Sequence, residues 1–271
     1  KKFNADVDFI VPNRFEFGYG LTPEIVDLAN KQNPSLIITV DNGVASISGV
    51  KKARSYGIDV LVTDHHLPAE SLPNANFIVN PNQLSCSFPS KNLCGVGVIF
   101  YVLLSVRAEL RKQNKFTSYS EPKLSDLLDL VALGTIADLV KLDFNNRILV
   151  HHGIKRIRSG NCNFGIEALA KLSKKKLKDI KTSDFSFSIA PKINAAGRLD
   201  DMSIGIKCLI AENKIEAAHY ANKLAVFNEK RKNVENKMKE EALVFLKDFV
   251  LEDNYSITIY NNSWHQGVIG I

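Results

Sequence analysis

Short apolar runs alternate with helix-like segments in the first third of the chain, and this alternation restricts the fold more than any other feature. Short buried strands are predicted at residues 9–11, 36–40, 60–63 and 77–79. Residues 22–29 and 48–56, which lie between successive strands, carry apolar side chains at helical spacing. This order predicts an α/β fold with a parallel sheet covered by helices on both faces. Such sheets bind their ligands at the carboxyl ends of the strands.

The later part of the chain is mainly helical by pattern. Helices are predicted at residues 96–113 and 124–133, and a long one without Pro or Gly runs from Lys214 to about residue 247. Its length indicates a connector between two lobes, and a new strand is predicted at residues 256–260. We therefore expect a first domain at residues 1–212, a connecting helix at 213–250, and the start of a truncated second α/β domain at 251–271.

Composition excludes several classes of protein. With 45% hydrophobic residues, the 271-residue chain can bury a sizeable core and is neither disordered nor fibrous. Its apolar runs are shorter than the roughly 18 residues of a membrane helix, and its start lacks the apolar part of a secretion signal. We therefore expect a cytoplasmic protein with no membrane partner. A net charge of +6 favours a polyanionic partner, or simply marks a basic surface.

Acidic and imidazole side chains follow two of the predicted strands. Asp41 comes directly after the second strand, and Asp64, His65 and His66 follow the third. Because neighbouring parallel strands end at the same edge of a sheet, we expect these side chains to converge. A further acid, Asp138, lies in an apolar segment, where a buried carboxylate is unfavourable unless it is paired or binds a metal. Carboxylates and imidazoles together suit Mn²⁺, although each residue alone also fits a helix cap or a satisfied core position.

These motifs occur in an order that resembles a known family. The strings VDNG at 40–43, DHH at 64–66 and GTIAD at 134–138 resemble the DHH phosphoesterase superfamily. Within it, the strings VPNRFEFGYGL at 11–21, PKINAAGRL at 191–199 and WHQGVIGI at 264–271 resemble the RecJ family of single-strand-specific 5′→3′ DNA exonucleases. The ordered set is far more specific than the three-residue DHH string alone.

The resemblance implies phosphodiester hydrolysis with two Mn²⁺ or Mg²⁺ ions. It implies that Asp41 bridges the two ions and that His65 and Asp138 complete the ligands of one of them. Asp64 is implied as a supporting catalytic carboxylate. His66 is implied beside the scissile phosphate, as a hydrogen-bond donor or proton source. Two divalent ions stabilise both the attacking and the leaving oxygen of an in-line displacement, so this ligand set agrees with the chemistry.

Three more residues are candidates for nucleic-acid binding. Arg14 and Arg198 lie in the family-like strings, and a guanidinium group offers a planar set of donors that fits phosphate oxygens. Asn194 and the small residues at 195–197 would let a nucleic-acid backbone approach closely. The alternative is that both arginines form structural ion pairs, Arg14 with Glu16 or another acid and Arg198 with Asp200 or Asp201.

The chain departs from the family at its start. The family carries an upstream D-x-D motif that supplies further metal ligands, and this sequence begins after the place where that motif is expected. Asp6 and Asp8 also form a D-x-D pattern, but they lie only a few residues before the VPNR stretch. We expect them on a solvated strand edge. We therefore expect weak or absent catalysis by this stretch of sequence.

The sequence predicts a monomeric exonuclease that degrades single-stranded DNA in recombination and repair. A helicase and a single-strand-binding protein are candidate partners. Two alternatives stay open: a DHH phosphodiesterase or pyrophosphatase that acts on small substrates, and a non-catalytic replication scaffold. The arginine-bearing strings argue against small substrates, and the intact acids and histidines argue against a scaffold.

Overall fold

The computed structural model describes residues 3, 5–12, 14–116, 121–199, 202–246 and 256–269. The chain divides into two compact units. Residues 1–163 with 175–186 form the first, and residues 164–174 with 187–271 form the second. The domain boundaries after residues 212 and 250 stay predictions. Among the described residues, no helix combines the length and apolar character needed to cross a membrane.

Helices dominate the described chain. The strands are β1 (Leu36–Val40), β2 (Asp59–Thr63) and β3 (Phe77–Val79). The helices are α1 (Arg14–Phe17), α2 (Pro23–Asn30), α3 (Ile47–Ser55), α4 (Gly95–Lys112), α5 (Leu128–Ala137), α6 (Phe144–Arg158), α7 (Phe164–Leu172), α8 (Thr182–Asp184), α9 (Ala190–Leu199), α10 (Ser203–Ile210) and α11 (Lys214–Leu246). Short 3₁₀ helices at Leu124–Leu127 and Leu177–Asp179 and a π-helix at Phe185–Ile189 complete the set.

The first unit is built on a parallel three-stranded sheet in the order β1-β2-β3. Val40 lies opposite Thr63, and Thr63 lies opposite Val79, so all three strands end at one edge. On one face of the sheet, apolar residues of α2 and α3 pack against β2, namely Ile25, Val26, Val50 and Ala53 against Val60 and Val62. The predicted α/β class and parallel sheet are confirmed.

The other face of the sheet is covered less completely. Leu36, Ile38 and Val40, which point away from the α2–α3 layer, are 45%, 47% and 44% exposed. Phe77 on β3 is 71% exposed. Of the helix layers predicted on both faces, the α2–α3 layer covers its face well, and the other face is only partly covered.

Two of the predicted strands are wrong. Residues 9–11 and 256–260 form no strand, and Phe9 and Tyr260 are 42% and 79% exposed. A strand is stabilised by hydrogen bonds to a neighbouring strand, and a short apolar run does not by itself supply that neighbour. Within the predicted second domain, residues 251–255 and 270–271 lie outside the described part of the chain.

The second unit is helical and has a core rich in small side chains. The long helix predicted from Lys214 is confirmed as α11, which has 33 residues. Its residues Ala217, Ala221 and Leu224 are fully buried, as are Ala195 and Ala196 of α9. Small side chains at a helix contact let the two backbones approach closely, so α9 is held firmly against α11.

Candidate metal centre

Asp41 directly follows β1, and both the N–H and the carbonyl of its backbone are hydrogen-bonded. Its φ is +67°, in the left-handed region where Asp is one of the few tolerated non-glycine residues. Its N–H donates to the carbonyl of Thr63 at 3.0 Å, and its carbonyl accepts from the hydroxyl of Tyr19 at 3.2 Å. The side chain, by contrast, is 52% exposed. The backbone is therefore positioned by the fold while the carboxylate stays open to a ligand.

Asp64 follows β2 and is buried, with its side chain only 1% exposed. Its Oδ1 accepts the backbone N–H groups of His65 at 2.7 Å and His66 at 3.2 Å, and its Oδ2 accepts that of Val44 at 2.9 Å. Burial by itself would raise the pKa of Asp64, but these hydrogen bonds, with one from the His66 ring, together lower that pKa below its usual value. Asp64 is thus an internal anion that holds the loop carrying both histidines.

His65 lies between two carboxylates. Its Nε2 is 3.0 Å from Asp41 Oδ1 and 3.4 Å from Asp138 Oδ2. This nitrogen is buried, and it makes no well-formed hydrogen bond with any described residue. The interaction with Asp41 raises the pKa of His65; burial lowers it, and the charges of Asp138 and Asp64 add to the rise. A buried ring nitrogen facing two acids without a well-formed hydrogen bond fits a position in which a metal ion would be held.

Asp138 caps the carboxyl end of α5 and completes this arrangement. Its backbone N–H donates to Gly134 O at 2.9 Å, which continues the last helical turn. Its side chain is 39% exposed, so the prediction that the apolar segment buries this acid is only partly met. The partial burial raises the pKa of Asp138, and the neighbouring Asp41 carboxylate raises it further against the opposing effect of His65. A divalent cation would offset both effects and stabilise the ionised carboxylate of Asp138.

The donor set suits a divalent ion that accepts both oxygen and nitrogen. Asp41, His65 and His66 each offer a ligand atom, and these three atoms lie within 4.8 Å of one another. Asp138 adds a further carboxylate oxygen beside His65. Carboxylates with imidazoles, and no thiolate among them, favour Mn²⁺. The residues therefore fit a manganese site.

His66 lies at the more exposed side of the group. Its side chain is 48% exposed, and its Nδ1 is 2.7 Å from Asp64 Oδ1. This contact favours a proton on Nδ1 and leaves Nε2 open to solvent, metal or substrate. The family resemblance implied a position for His66 beside the scissile phosphate, and its membership of the metal-competent group adds a ligand role as an alternative.

The residues predicted to contact nucleic acid lie elsewhere on the chain. Arg14 is the first residue of α1, and its side chain is outside the described part. Asn194 and Arg198 lie on α9 in the second unit, where Asn194 is exposed. Arg198 Nη1 donates to the carbonyl of Gly267 at 3.2 Å.

Two further predictions concern acids. The acids considered as ion-pair partners of Arg198, Asp200 and Asp201, lie outside the described residues. Asp6 and Asp8 are exposed, as expected, but residues 5–12 form no strand, so the expected strand edge is wrong. The metal-competent group found among the described residues does not include these two acids.

Sequence reasoning missed two neighbours of Asp41. Tyr19 donates to its carbonyl, and the Tyr19 ring meets that of His66 edge-on with centroids 6.3 Å apart. Gly95 lies so close that a β-carbon built on it would be 2.5 Å from Asp41 Oδ1. Tyr19 belongs to the quoted GYG string, which is a signal that could have drawn attention to it. The sequence contains no corresponding signal that pairs Gly95 with Asp41.

Comparisons with known proteins agree with this geometry. Residues 1–135 match the DHH family, N-terminal domain. The chain is 50% identical over 270 residues to the single-stranded-DNA-specific exonuclease RecJ of Haemophilus influenzae, and 49% identical over 272 residues to that of Escherichia coli. Each match covers 98% of this chain and 47% of the relative, so the chain spans about half the length of these relatives.

A solved structure shows the same fold. The crystal structure of exonuclease RecJ bound to manganese matches with a TM-score of 0.80 at 30% identity, over 96% of this chain and 62% of that chain. Sequence and fold thus agree along nearly the whole chain. The chain belongs to the DHH family and, within it, to the RecJ proteins.

Proposed function

We propose that this chain carries the metal-dependent catalytic site of a single-stranded-DNA-specific 5′→3′ exonuclease. The observation that carries the proposal is the position of His65 Nε2, which lies 3.0 Å from Asp41 and 3.4 Å from Asp138 at the carboxyl edge of a parallel sheet. The names of relatives at 49% and 50% identity support the activity. The manganese in the matched RecJ structure supports the metal.

The site residues have distinct proposed roles. Asp41, His65 and Asp138 would hold Mn²⁺ or Mg²⁺, which when bound lowers the pKa of a water ligand and stabilises charge on phosphate oxygens. Asp64 contacts His66 Nδ1 at 2.7 Å and so keeps the other ring nitrogen directed outward. His66 Nε2 can then donate a hydrogen bond or a proton to a substrate oxygen when the ring is protonated.

Substrate contacts are proposed for three residues. The exposed position of Asn194 and the guanidinium of Arg198 support contacts between α9 and the DNA backbone. Arg14 is proposed for the same task because it lies in a family-like string. A cytoplasmic location, a monomeric state, and association with a helicase or a single-strand-binding protein remain predictions.

The experiment follows release of the labelled 5′-terminal nucleotide from a single-stranded oligonucleotide, with the chain in excess and Mn²⁺ present. We expect slow release that stops on removal of Mn²⁺ and in Asp41→Asn. A blunt duplex of the same sequence should resist. The matched control is Asp59→Asn, which changes an exposed acid at the opposite end of β2 and should leave the rate unchanged.

Other outcomes would contradict the proposal in different ways. Faster hydrolysis of a dinucleotide or of pyrophosphate than of the long strand would favour the small-substrate enzyme. Tight binding of single-stranded DNA with neither Mn²⁺ binding nor cleavage would favour the scaffold.

A further inference from the structure

The first turn of α4 packs directly against the carboxylate of Asp41. A β-carbon built on Gly95, the first residue of α4, would lie 2.5 Å from both Cβ and Oδ1 of Asp41 and 2.7 Å from its Cγ. Non-bonded carbon atoms attract best at about 3.5–4.0 Å, so these separations are strongly repulsive. Only a glycine at this position leaves Asp41 where it is.

The same turn packs against the helix that ends at Asp138. A β-carbon built on Gly134 of α5 would lie 2.4 Å from Cγ1 of Val96, the second residue of α4. Gly134 accepts the backbone N–H of Asp138 at 2.9 Å and so belongs to the turn that positions this acid. The first turn of α4 therefore contacts both Asp41 and the end of α5 that carries Asp138, and in each contact one partner is a glycine.

We propose that the first turn of α4 is a spacer that sets the separation of the Asp41 and Asp138 carboxylates, with Gly95 and Gly134 as positioning residues. The inference rests on the proposed function, because it concerns the same metal site. Metal–ligand distances tolerate deviations of only about 0.2 Å. The overlap of a new β-carbon at Gly95 with Asp41, or at Gly134 with Val96, is relieved only by a larger displacement. An added methyl group at either glycine would therefore move a metal ligand beyond that tolerance.

Two other glycines provide controls that separate a loss of metal binding from a loss of helix packing. A β-carbon on Gly97, in the same turn of α4, would come closest to the flexible end of Leu93, at 3.0 Å. Its next neighbours, Leu93 Cβ and Cys94 Sγ, would lie at ordinary contact distances of 3.6 and 3.8 Å. A β-carbon on Gly153 of α6 would lie 2.2 Å from the carbonyl oxygen of Leu128 and 2.5 Å from Cβ of Ala132, both in the first half of α5 and away from Asp138. Gly97→Ala is therefore the control for helix propensity, and Gly153→Ala is the control for a crowded helix contact.

The experiment measures Mn²⁺ affinity by isothermal titration calorimetry and thermal unfolding for each variant. We expect Gly95→Ala and Gly134→Ala to bind Mn²⁺ roughly 10- to 100-fold more weakly, the range for residues that orient metal ligands. Gly97→Ala should stay within about twofold. Gly153→Ala should unfold at a lower temperature but, while folded, bind Mn²⁺ normally.

A second substitution tests the spacer directly. Val96→Ala removes the methyl group that the new β-carbon at Gly134 would meet, so Gly134→Ala with Val96→Ala should regain most of the Mn²⁺ affinity. If Gly95→Ala fails to fold, this pair decides the question.

Native Mn²⁺ affinity in folded Gly134→Ala, or no recovery in the double variant, would overturn the spacer. Failure of the unchanged chain to bind Mn²⁺ would instead overturn the proposed function, and the inference with it.

Discussion

The carboxyl ends of β1 and β2 carry acids that look equivalent in sequence but have opposite surroundings. Asp41 has a side chain that is 52% exposed, and its carboxylate faces the ring of His65. The Asp64 side chain is 1% exposed, and its two oxygens accept three backbone N–H groups and contact the His66 ring. Both acids follow a strand of the same parallel sheet.

The difference separates a ligand from a structural anion. The hydrogen-bonding capacity of Asp64 is used by the protein, so its charge serves to hold the loop after β2. For Asp41 the protein uses the backbone and leaves the carboxylate available. Identical changes at the two positions should therefore have different consequences for metal binding and for stability.

The largest effect is expected for Asp41→Asn on metal binding. Loss of one anionic oxygen should weaken Mn²⁺ binding by roughly 100-fold or more, beyond the range for residues that only orient ligands. Asn tolerates the left-handed backbone, so the free energy of unfolding should change by less than about 0.5 kcal/mol. Calorimetric titration with Mn²⁺ and urea denaturation measure the two quantities. Unchanged Mn²⁺ affinity would remove Asp41 from the ligand set.

The second effect is expected for Asp64→Asn on stability. An amide in place of the carboxylate directs an NH₂ group at a backbone N–H, which leaves a buried donor unpaired. We expect a loss of about 2–3 kcal/mol in the free energy of unfolding. Urea denaturation beside Asp41→Asn, the same chemical change at the other strand end, provides the matched control. Equal stability of the two variants would contradict the structural role of Asp64.

The stabilisation from Asp64 should depend on pH. Its pKa is lowered in the folded chain, so its contribution is present above the unfolded value, about 3.9, and is lost as pH falls through the lower folded value. The difference in unfolding free energy between the unchanged chain and Asp64→Asn should therefore shrink from pH 7 towards pH 3. Denaturation curves at several pH values measure it, and a constant difference would disprove the assignment.

Asp138 should show the opposite sign. Burial raises its pKa, so its effect on stability is most favourable below the unfolded value and is lost as pH rises through the raised folded value. In the absence of metal, Asp138→Asn should modestly raise the thermal unfolding temperature at pH 7, while Mn²⁺ binding weakens. A lower unfolding temperature would indicate a structural role like that of Asp64.

The smallest effect is expected for Tyr19→Phe. The change removes the hydroxyl that donates to the Asp41 carbonyl at 3.2 Å and keeps the ring beside His66. Because Tyr19 is 70% exposed, water can replace the hydroxyl, and Mn²⁺ affinity should fall by only about twofold. A loss as large as that of Asp41→Asn would show that this hydrogen bond controls the site.

Local patterns were sufficient for much of the fold. Thr22 accepts the N–H of Ile25 and Pro23 begins α2, a helix start that a Thr followed by Pro favours in any sequence. The strands before Asp41 and Asp64 formed because apolar runs there have parallel neighbours. The same type of run at residues 9–11 and 256–260 formed no strand, since pairing is a property of the tertiary structure. The roles of Arg14, Asn194 and Arg198 stay predictions.

The sequence by itself determined the three strands of the sheet, the helices α2, α3, α4, α5 and α11, the acids and histidines at the strand ends, and the resemblance to the DHH family. These features follow from local spacing and from motifs that are continuous in the chain. Only the tertiary structure decided that Asp64 is buried while Asp41 is open, and that Gly95 contacts Asp41. The reason is physical: burial and close contact depend on segments distant in sequence, and side-chain packing brings them together.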